Sequence, residues 1–572
     1  MKMLLRYLRP SARSMSFGLT IKVLATLLEL MLPYILSHIL DVVVPRHNVP
    51  LIFLWGGVML LCAFGAYLGN VIANRNAARV ARDTSRRIRH DLFDATMHLS
   101  ARQTDRFTIP SLESRLTSDT YNVHHFIGMM QRMGVRAPML LLGGMAITLF
   151  LDWRLALILL AILPLIGVAV FAIARRGLPL YKKSQQAVDG MVRVVREDCQ
   201  GVRVVKALSR EEYEKARFDS ANLALIDAER RAGVLMASSQ PVMSLLLHIG
   251  LALVIGLGAI FVQGGVSAPG RIIAFMQYFT LMSTAMSVIT RIFSQYSKCM
   301  ASASRIGEVI DAAEHTKSEE SAVTGAENAP HIQFENVTFS YNGRRNNLKN
   351  VSFSLPRGGT LGVIGATGSG KSTLAQLLMR FYDASEGRVL IDGRDVRDFD
   401  EKELRARFGV VMQNDFIYAD TVAENIRFGR DITDEQMMHA ATLAQAAEFI
   451  EQFPEKYEHP LTTKGTNVSG GQRQRLLIAR ALAGDPEILI LDDASSALDY
   501  RTDANLRAAI KKDTHATTVI VAQRVSSVMH ADHILVLEDG AVLAAGKHEE
   551  LLATCDAYRE ISHSQMGGAF LE

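Results

Sequence analysis

Apolar and polar positions divide this chain in two. Residues 1–311 carry long apolar runs broken by basic clusters, whereas 331–572 read as a mixed α/β soluble domain. Six apolar stretches are long enough, or nearly so, to cross a bilayer, near 17–40, 51–73, 137–151, 155–174, 241–262 and 272–293. The third and fourth are separated only by LDWR, which predicts a tight hairpin. The connections 74–136 and 175–240 are helical in pattern and low in Gly and Pro, and residues 76–99 alone would reach about 36 Å as a helix. Residues 312–330, AAEHTKSEESAVTGAENAP, are small, polar and Pro-terminated, the composition of a linker. The following HIQFENVTFSY alternates apolar and polar residues as a half-buried strand does. A membrane domain over 1–311, a linker over 312–330 and a second domain over 331–572 are therefore expected. At 572 residues, length alone argues for more than one core.

Charge orients the spans. Lys2, Arg6, Arg9 and Arg13 precede the first; Arg75, Arg79, Arg82, Arg86, Arg87 and Arg89 follow the second. Arg175, Arg176, Lys182 and Lys183 follow the fourth, and Lys298 and Arg305 the sixth. The positive-inside rule then places both termini in the cytoplasm of a multi-pass membrane protein. The net charge of +4 is small, and its clustering beside apolar spans speaks for membrane topology and against a nucleic-acid partner. Cys62, Cys199, Cys299 and Cys555 are scattered without C-x-x-C spacing, so neither a disulfide framework nor a zinc site is expected. The basic amino terminus, MKMLLRYLRPSARSMSF, precedes an apolar segment longer than a signal peptide's, and reads as an interfacial helix ahead of the first span.

Three runs in the second domain carry chemistry. GVIGATGSGKST (362–373) contains G-x-x-x-x-G-K-S, comprising Gly365, Ala366, Thr367, Gly368, Ser369, Gly370, Lys371 and Ser372, followed by Thr373. Its glycines let successive N–H groups converge on phosphate oxygens, the following helix offers its positive end, Lys371 neutralises β/γ charge and Ser372 can ligate Mg²⁺. NVSGGQRQR (467–475) taken alone is a polar turn capping a helix, with Ser469 as N-cap. About 20 residues on, ILILDDASSALD (488–499) ends an apolar strand in two adjacent carboxylates, Asp492 and Asp493.

Together these runs resemble the phosphate loop, the signature (usually written L-S-G-G-Q) and the Walker B strand of ATP-binding cassette (ABC) proteins. The resemblance covers nearly the whole chain, since six spans ahead of one cassette look like an exporter half-transporter. SLESRLTSDT (111–120) and EDCQGVRVVKALSREEYEKARF (197–218) look like that family's intracellular loops. The resemblance implies an all-α six-helix transmembrane domain fused to an α/β P-loop nucleotide-binding domain, the type I exporter or type IV fold. It implies ATP and Mg²⁺, with Ser372, Gln413 and Asp492 at the metal. Tyr341 resembles the aromatic that stacks on adenine, Gln413 the Q-loop residue and Asp499 the D-loop acid. In such a pair, Ser469, Gly470, Gly471 and Gln472 act on ATP held by the other cassette.

Two positions depart from the family pattern. Its catalytic Glu is replaced by Asp493, and in VIVAQRVSS the place of its switch His is taken by Gln523. Loss of one methylene withdraws the carboxylate by up to about 1.5 Å, and general-base help worth roughly 10² to 10⁴ in rate depends on that reach. Gln523 can hydrogen-bond a phosphate but does not exchange a proton near neutrality as His does. ATP binding without efficient cleavage is expected at this site; Asp493 acting through a shifted water, with Gln523 as drift, is the alternative. The combination resembles the degenerate-site subunit of heterodimeric bacterial multidrug exporters, whose partner half-transporter carries the Glu and the His. TTKGTN, just before the signature, departs as well, because many exporters place an acidic and a basic residue around that glycine.

Within the spans, Phe275, Phe279, Met282, Met286, Ile289 and Phe293 recur on one helical face. Such a surface suits a loosely specified hydrophobic small-molecule substrate, and equally suits packing or lipid contact. Glu29 and Asp41 are functional candidates because an intramembrane acid is costly, and structural hydrogen bonding accounts for them as well. The reading overall is one half of a heterodimeric exporter in a bacterial plasma membrane, moving amphipathic or apolar compounds across the lipid bilayer. A lipid flippase or metabolite exporter shares this architecture. A homodimeric ATP-gated membrane sensor that pumps nothing is the alternative of another class.

Overall fold

The structure, a computed structural model, describes residues 2–314 and 329–566. The linker expected at 312–330 lies largely outside them. The chain forms two compact units, Met1–His98 with Thr108–Glu314, and Leu99–Phe107 with His315–Glu572. Each is described by itself.

The first unit is all helical. Six runs are long and apolar enough to cross a membrane: Met3–Arg46, Val49–Met97, Ile109–Leu151, Trp153–Ala207, Glu211–Gln263 and Pro269–Ile289. The helix Trp153–Ala207 has 55 residues and so reaches about 80 Å, far beyond a hydrocarbon core of ~30 Å. The expected LDWR hairpin forms because Asp152 adopts an extended backbone and its carboxylate caps the next helix, accepting from Arg154 N at 3.0 Å. The amino-terminal helix Lys2–Leu8 is present. Its Leu4 and Tyr7 are buried, and the Tyr7 hydroxyl donates to Asp91 at 2.7 Å, so one face of this helix packs on protein while Leu5 stays exposed.

The aromatic and Met face of the sixth span points inward. Phe275, Phe279 and Met282 are at most 1% exposed, which favours packing, one of the readings left open, over a cavity lining. Met286 and Ile289 are half-buried, and the side chain of Phe293 is not among those described. Glycines on neighbouring helices make the room: a Cβ at Gly250 would fall 2.6 Å from the Phe279 ring, one at Gly144 3.0 Å from Met282, one at Gly167 2.9 Å from Met286. Small residues that let helices interlock are the expected device where no hydrophobic drive separates protein from lipid.

Both intramembrane acids are bonded. Glu29 takes a two-pronged bond from Arg136, at 2.6 and 3.1 Å. Asp41 accepts from Gly270 N at 2.6 Å and from Ser37 Oγ at 3.2 Å, tying the end of the first span to the start of the helix Pro269–Glu314. Further along that helix, buried Asp119 accepts from Ser302 Oγ and Arg305 Nε, both at 2.8 Å, while Arg115 pairs with Glu308 at 3.2 Å.

The second unit is built on ten strands. A four-stranded sheet has the order β2-β1-β4-β5, from β1 (Ile332–Phe339), β2 (Leu348–Leu355), β4 (Glu386–Ile391) and β5 (Arg394–Asp395). A six-stranded sheet has the order β10-β9-β3-β8-β7-β6, from β3 (Thr360–Gly365), β6 (Phe408–Val411), β7 (Ile488–Asp492), β8 (Thr517–Ala522), β9 (His533–Glu538) and β10 (Ala541–Gly546). β6, β7, β8, β3 and β9 are parallel neighbours. All five residues of β7 are buried, as a strand covered on both faces requires. Phosphate loop and Walker B acids therefore emerge from the carboxyl ends of β3 and β7, strands separated only by β8.

At the opposite ends of these strands His331 is fully buried, its Nδ1 2.6 Å from Thr517 Oγ1. Its Nε2 lies 3.9 Å from both Asp392 and Glu487, whose carboxylates are held by Arg357 and Arg407. Burial, reinforced by the two arginines, pushes the His331 pKa below its ordinary 6.5. The folded state thus favours neutral His331: its stability is full above pH 6.5 and is lost as the pH falls and the unfolded chain takes up the proton.

Two outcomes are expected. Unfolding midpoints of the full chain in detergent should show His331→Gln destabilised at pH 7.5, with the gap from wild type narrowing toward pH 5.5; a gap that widens on acidification contradicts a neutral buried imidazole. Asp119→Ala, which removes the acceptor of buried Ser302 and of half-exposed Arg305, should cost about 2 kcal/mol in denaturant titration, whereas Asp227→Ala, breaking exposed pairs with Arg230 and Arg231, should leave the midpoint unmoved.

Candidate nucleotide site

The phosphate loop is shaped by what its glycines approach. A Cβ at Gly365 would lie 2.1 Å from the Leu537 carbonyl oxygen. Gly370 has φ +101°, and a Cβ there would meet the Asn347 carbonyl oxygen at 2.6 Å. Neither position accepts a side chain. Gly370 caps the helix Lys371–Leu378, whose first N–H groups thus face the loop. Lys371 folds back, donating to the carbonyls of Gly365 at 2.9 Å and Ala366 at 2.8 Å. Beneath the loop, Ser369 is buried with no partner for its Oγ among the described residues.

An open cavity lies over this helix terminus. It is lined by Thr367, Gly368, Gly370, Lys371, Ser372, Thr373, Gln413, Asp492, Asp493 and Gln523, together with Asn347. The donor set fits a nucleotide phosphate with Mg²⁺: N–H groups and a lysine for the anion, and for the cation Ser372 Oγ donating to Asp492 Oδ1 at 3.2 Å, with Gln413 alongside. Desolvation, with Asp493 next door, pushes the Asp492 pKa up, while burial pulls that of Lys371 down against the attraction of both carboxylates. Ser372, Asp492 and Gln413 would hold the cation, whose charge would favour the carboxylate form of Asp492.

Asp493 sits at φ +53°, a left-handed backbone that Asp tolerates better than most residues. Its N–H donates to Val521 O at 2.8 Å. The Gln523 side-chain amide makes no hydrogen bond among the described residues, while the main-chain carbonyl of Gln523 accepts from Gln565 Nε2 at 2.7 Å.

Other expected residues lie elsewhere. Tyr341 does not line the cavity; it stands over the first turn of the following helix, its hydroxyl 3.3 Å from Thr373 Oγ1, and 40% of it is exposed. Ser469 and Gln472 cap the helix Gly470–Leu482 reciprocally, with Gln472 N to Ser469 Oγ at 3.2 Å and Ser469 N to Gln472 Oε1 at 2.9 Å. They, Gly470 and Gly471 are outside the cavity around Lys371. Asp499 caps the helix Tyr500–Asp513, accepting from Thr502 N at 3.1 Å.

Three residues escape a reading of the sequence. Asn347 lines the cavity and its carbonyl closes over Gly370. Tyr382 packs edge-on against Tyr341 at 5.0 Å and donates to Asp105 in the short helix Ala101–Phe107. Gln474 joins the signature helix to the segment after β7, accepting from Ala497 N at 2.9 Å and donating to Asp493 O at 3.0 Å. Only Gln474 carries a signal, its place two residues past the signature Gln472.

Comparison with known proteins agrees with this geometry. The family profile described as ABC transporter transmembrane region matches residues 15–286, and that described as ABC transporter matches 348–496. The uncharacterized ABC transporter ATP-binding protein YfiB of Bacillus subtilis is 33% identical over 569 residues, 99% of each chain. Rv1273c of Mycobacterium tuberculosis, with the same description, is 34% identical over 583 residues, 98% of each chain. A bacterial Atm1-family ABC exporter with ATP bound shares the fold, with a TM-score of 0.81 over 99% of each chain at 24% identity. Six apolar helices, a phosphate loop and signature in their places, and full-length relatives together identify the chain as a member of the ABC transporter family, with membrane region and ATP-binding cassette in one polypeptide.

Proposed function

We propose that this chain is the hydrolytically impaired half of a heterodimeric exporter in a bacterial plasma membrane, moving amphipathic or apolar, multidrug-type compounds outward. The observation that carries this reading is that Asp493 and Gln523 line the same cavity as Lys371, Ser372 and Asp492. Groups for binding and groups altered for cleavage thus face one nucleotide. The separation of Ser469, Gly470 and Gly471 from that cavity supports a signature that serves ATP on a second cassette. There the serine hydroxyl, backbone N–H groups and helix end would stabilise charge developing on the γ-phosphate. The second cassette supplies Glu and His on its own loop. ATP binding closes the pair, hydrolysis at the competent site reopens it, and the membrane helices alternate with it because ATP binds the closed state better.

Expressed alone, the chain should bind ATP and turn it over at less than about a hundredth of the rate of the two-chain complex. Vigorous hydrolysis by a purified homodimer overturns the reading. Asp493→Glu should restore cleavage at this site only in part, because Gln523 still meets the γ-phosphate; single-site nucleotide trapping with Asp493→Glu, alone and with Gln523→His, measures each share.

Damage should also be asymmetric in the assembled complex. Gly470→Asp sets a carboxylate against a phosphate at the competent site and should nearly abolish ATPase activity. Lys371→Ala weakens nucleotide binding at the impaired site and should leave measurable turnover. The reverse order would mean that the two sites have been exchanged.

A further inference from the structure

The burial of the Phe and Met face turns the other side of the sixth span outward, and beyond the exposed Ile273 that side carries a polar line. Along the helix Pro269–Glu314 the exposed or half-buried positions Gln277, Thr280, Thr284, Ser287 and Arg291 recur at spacings of three and four residues, one line on one face. Thr280 and Thr284 donate to the carbonyls of Met276 and Thr280, both at 3.0 Å, and Ser287 to that of Ser283 at 3.3 Å. Their hydroxyl protons are used within the helix, so their free lone pairs face outward. Gln277 and Arg291 have no hydrogen-bond or ion-pair partner among the described residues, while Glu29, an acid of the first span, is taken by Arg136.

Lipid does not suit this line. The second span exposes Phe53, Leu60 and Phe64, and the fourth exposes Leu157 and Leu165, faces that acyl chains cover at no cost. A Gln, two Thr and an unpaired Arg on one face do not dissolve there. The line carries acceptor and amide groups along most of its length and ends in one uncompensated positive charge. That pattern complements a ligand with hydroxyl or amide donors and an acidic group at one end.

Resting on the exporter reading above, we propose that the face from Gln277 to Arg291 lines the cargo path, and that the preferred cargo is an anionic amphipath whose acidic group is held by Arg291. The substrate class narrows accordingly, from apolar compounds in general to hydrogen-bonding organic anions.

Accessibility and charge test this even while the cargo itself is unidentified. In the assembled complex, reconstituted in lipid nanodiscs with Cys62, Cys199, Cys299 and Cys555 replaced by Ala, single cysteines are placed as Thr280→Cys, Thr284→Cys and the near-isosteric Ser287→Cys. The buried Ala285→Cys is the control. Each is reacted with an anionic sulfonatoethyl and a cationic trimethylammonioethyl methanethiosulfonate, with rates normalised to a free thiol. All three line positions should react and Ala285→Cys should not. The anionic reagent should be favoured by about fivefold, a preference lost in Arg291→Gln and kept in Arg291→Lys. In the same complex, the taurocholate concentration that half-maximally stimulates ATPase should rise about tenfold or more in Arg291→Gln, with the response to tetraphenylphosphonium unchanged.

Line positions unreactive toward both reagents would mean that lipid or the helices of a second half-transporter cover this face, and the proposal falls. It falls equally if the reagents' ratio ignores Arg291, as it would were that guanidinium bound to lipid headgroups, or if the cation is the better stimulant. Failure of the impaired-site reading registers elsewhere, in the single-site ATPase measurements, and leaves the labelling pattern standing.

Discussion

A helix that runs through hydrocarbon and on into water must change what it buries along its own length. The 55 residues of Trp153–Ala207 meet both environments, and the rest of the membrane unit follows from the same demand. In the apolar part, where contact with lipid and contact with protein are alike in hydrophobicity, shape decides: glycines open notches and aromatic or Met side chains fill them. Outside it, charge joins in, and Asp119 with Arg305 and Arg115 with Glu308 fasten helices that also bury Val123, Ile306 and Val309. Among the polar groups within the spans, Glu29 is bonded to Arg136, whereas Thr280 and Thr284 stand exposed in a line.

The cassette answers a different demand, that of gathering anion-binding N–H groups where Lys371 is the one basic side chain among the described residues lining the cavity. Parallel strands β3 and β7 bring loop and acids to one edge, and close approach of the Asn347 and Leu537 carbonyls leaves room only for Gly370 and Gly365. With Asp492 desolvated and Lys371 folded onto its own loop, the site satisfies itself with short internal bonds that a phosphate and a cation would replace.

Much of this is legible in the sequence. Six spans, the LDWR hairpin and the strand-loop-helix setting of the phosphate loop follow from hydropathy and backbone chemistry, which act locally along the chain. Contacts between segments are not legible. Periodicity shows the Phe and Met positions of the sixth span to be one face but leaves its surroundings open, because the decisive glycines, Gly144, Gly167 and Gly250, lie on other helices. Asp41 and Glu29 stand out as misplaced acids, but Gly270 N and Arg136, which explain them, stand more than a hundred residues away. In the site, the residues of the contiguous motifs are recognisable, whereas Asn347 and Tyr382 act through the fold and carry no pattern of their own.

The bridge made by Gln474 bears on how the cassette moves. One amide holds both ends of the segment from Asp493 to Ala497, and does so from the first turns of the helix that carries the signature. The edge of the nucleotide cavity and the start of the signature helix are therefore tied together. Tilting either without the other breaks two hydrogen bonds, so a change of posture at the cavity is felt mechanically along that helix, even where no bond is cleaved.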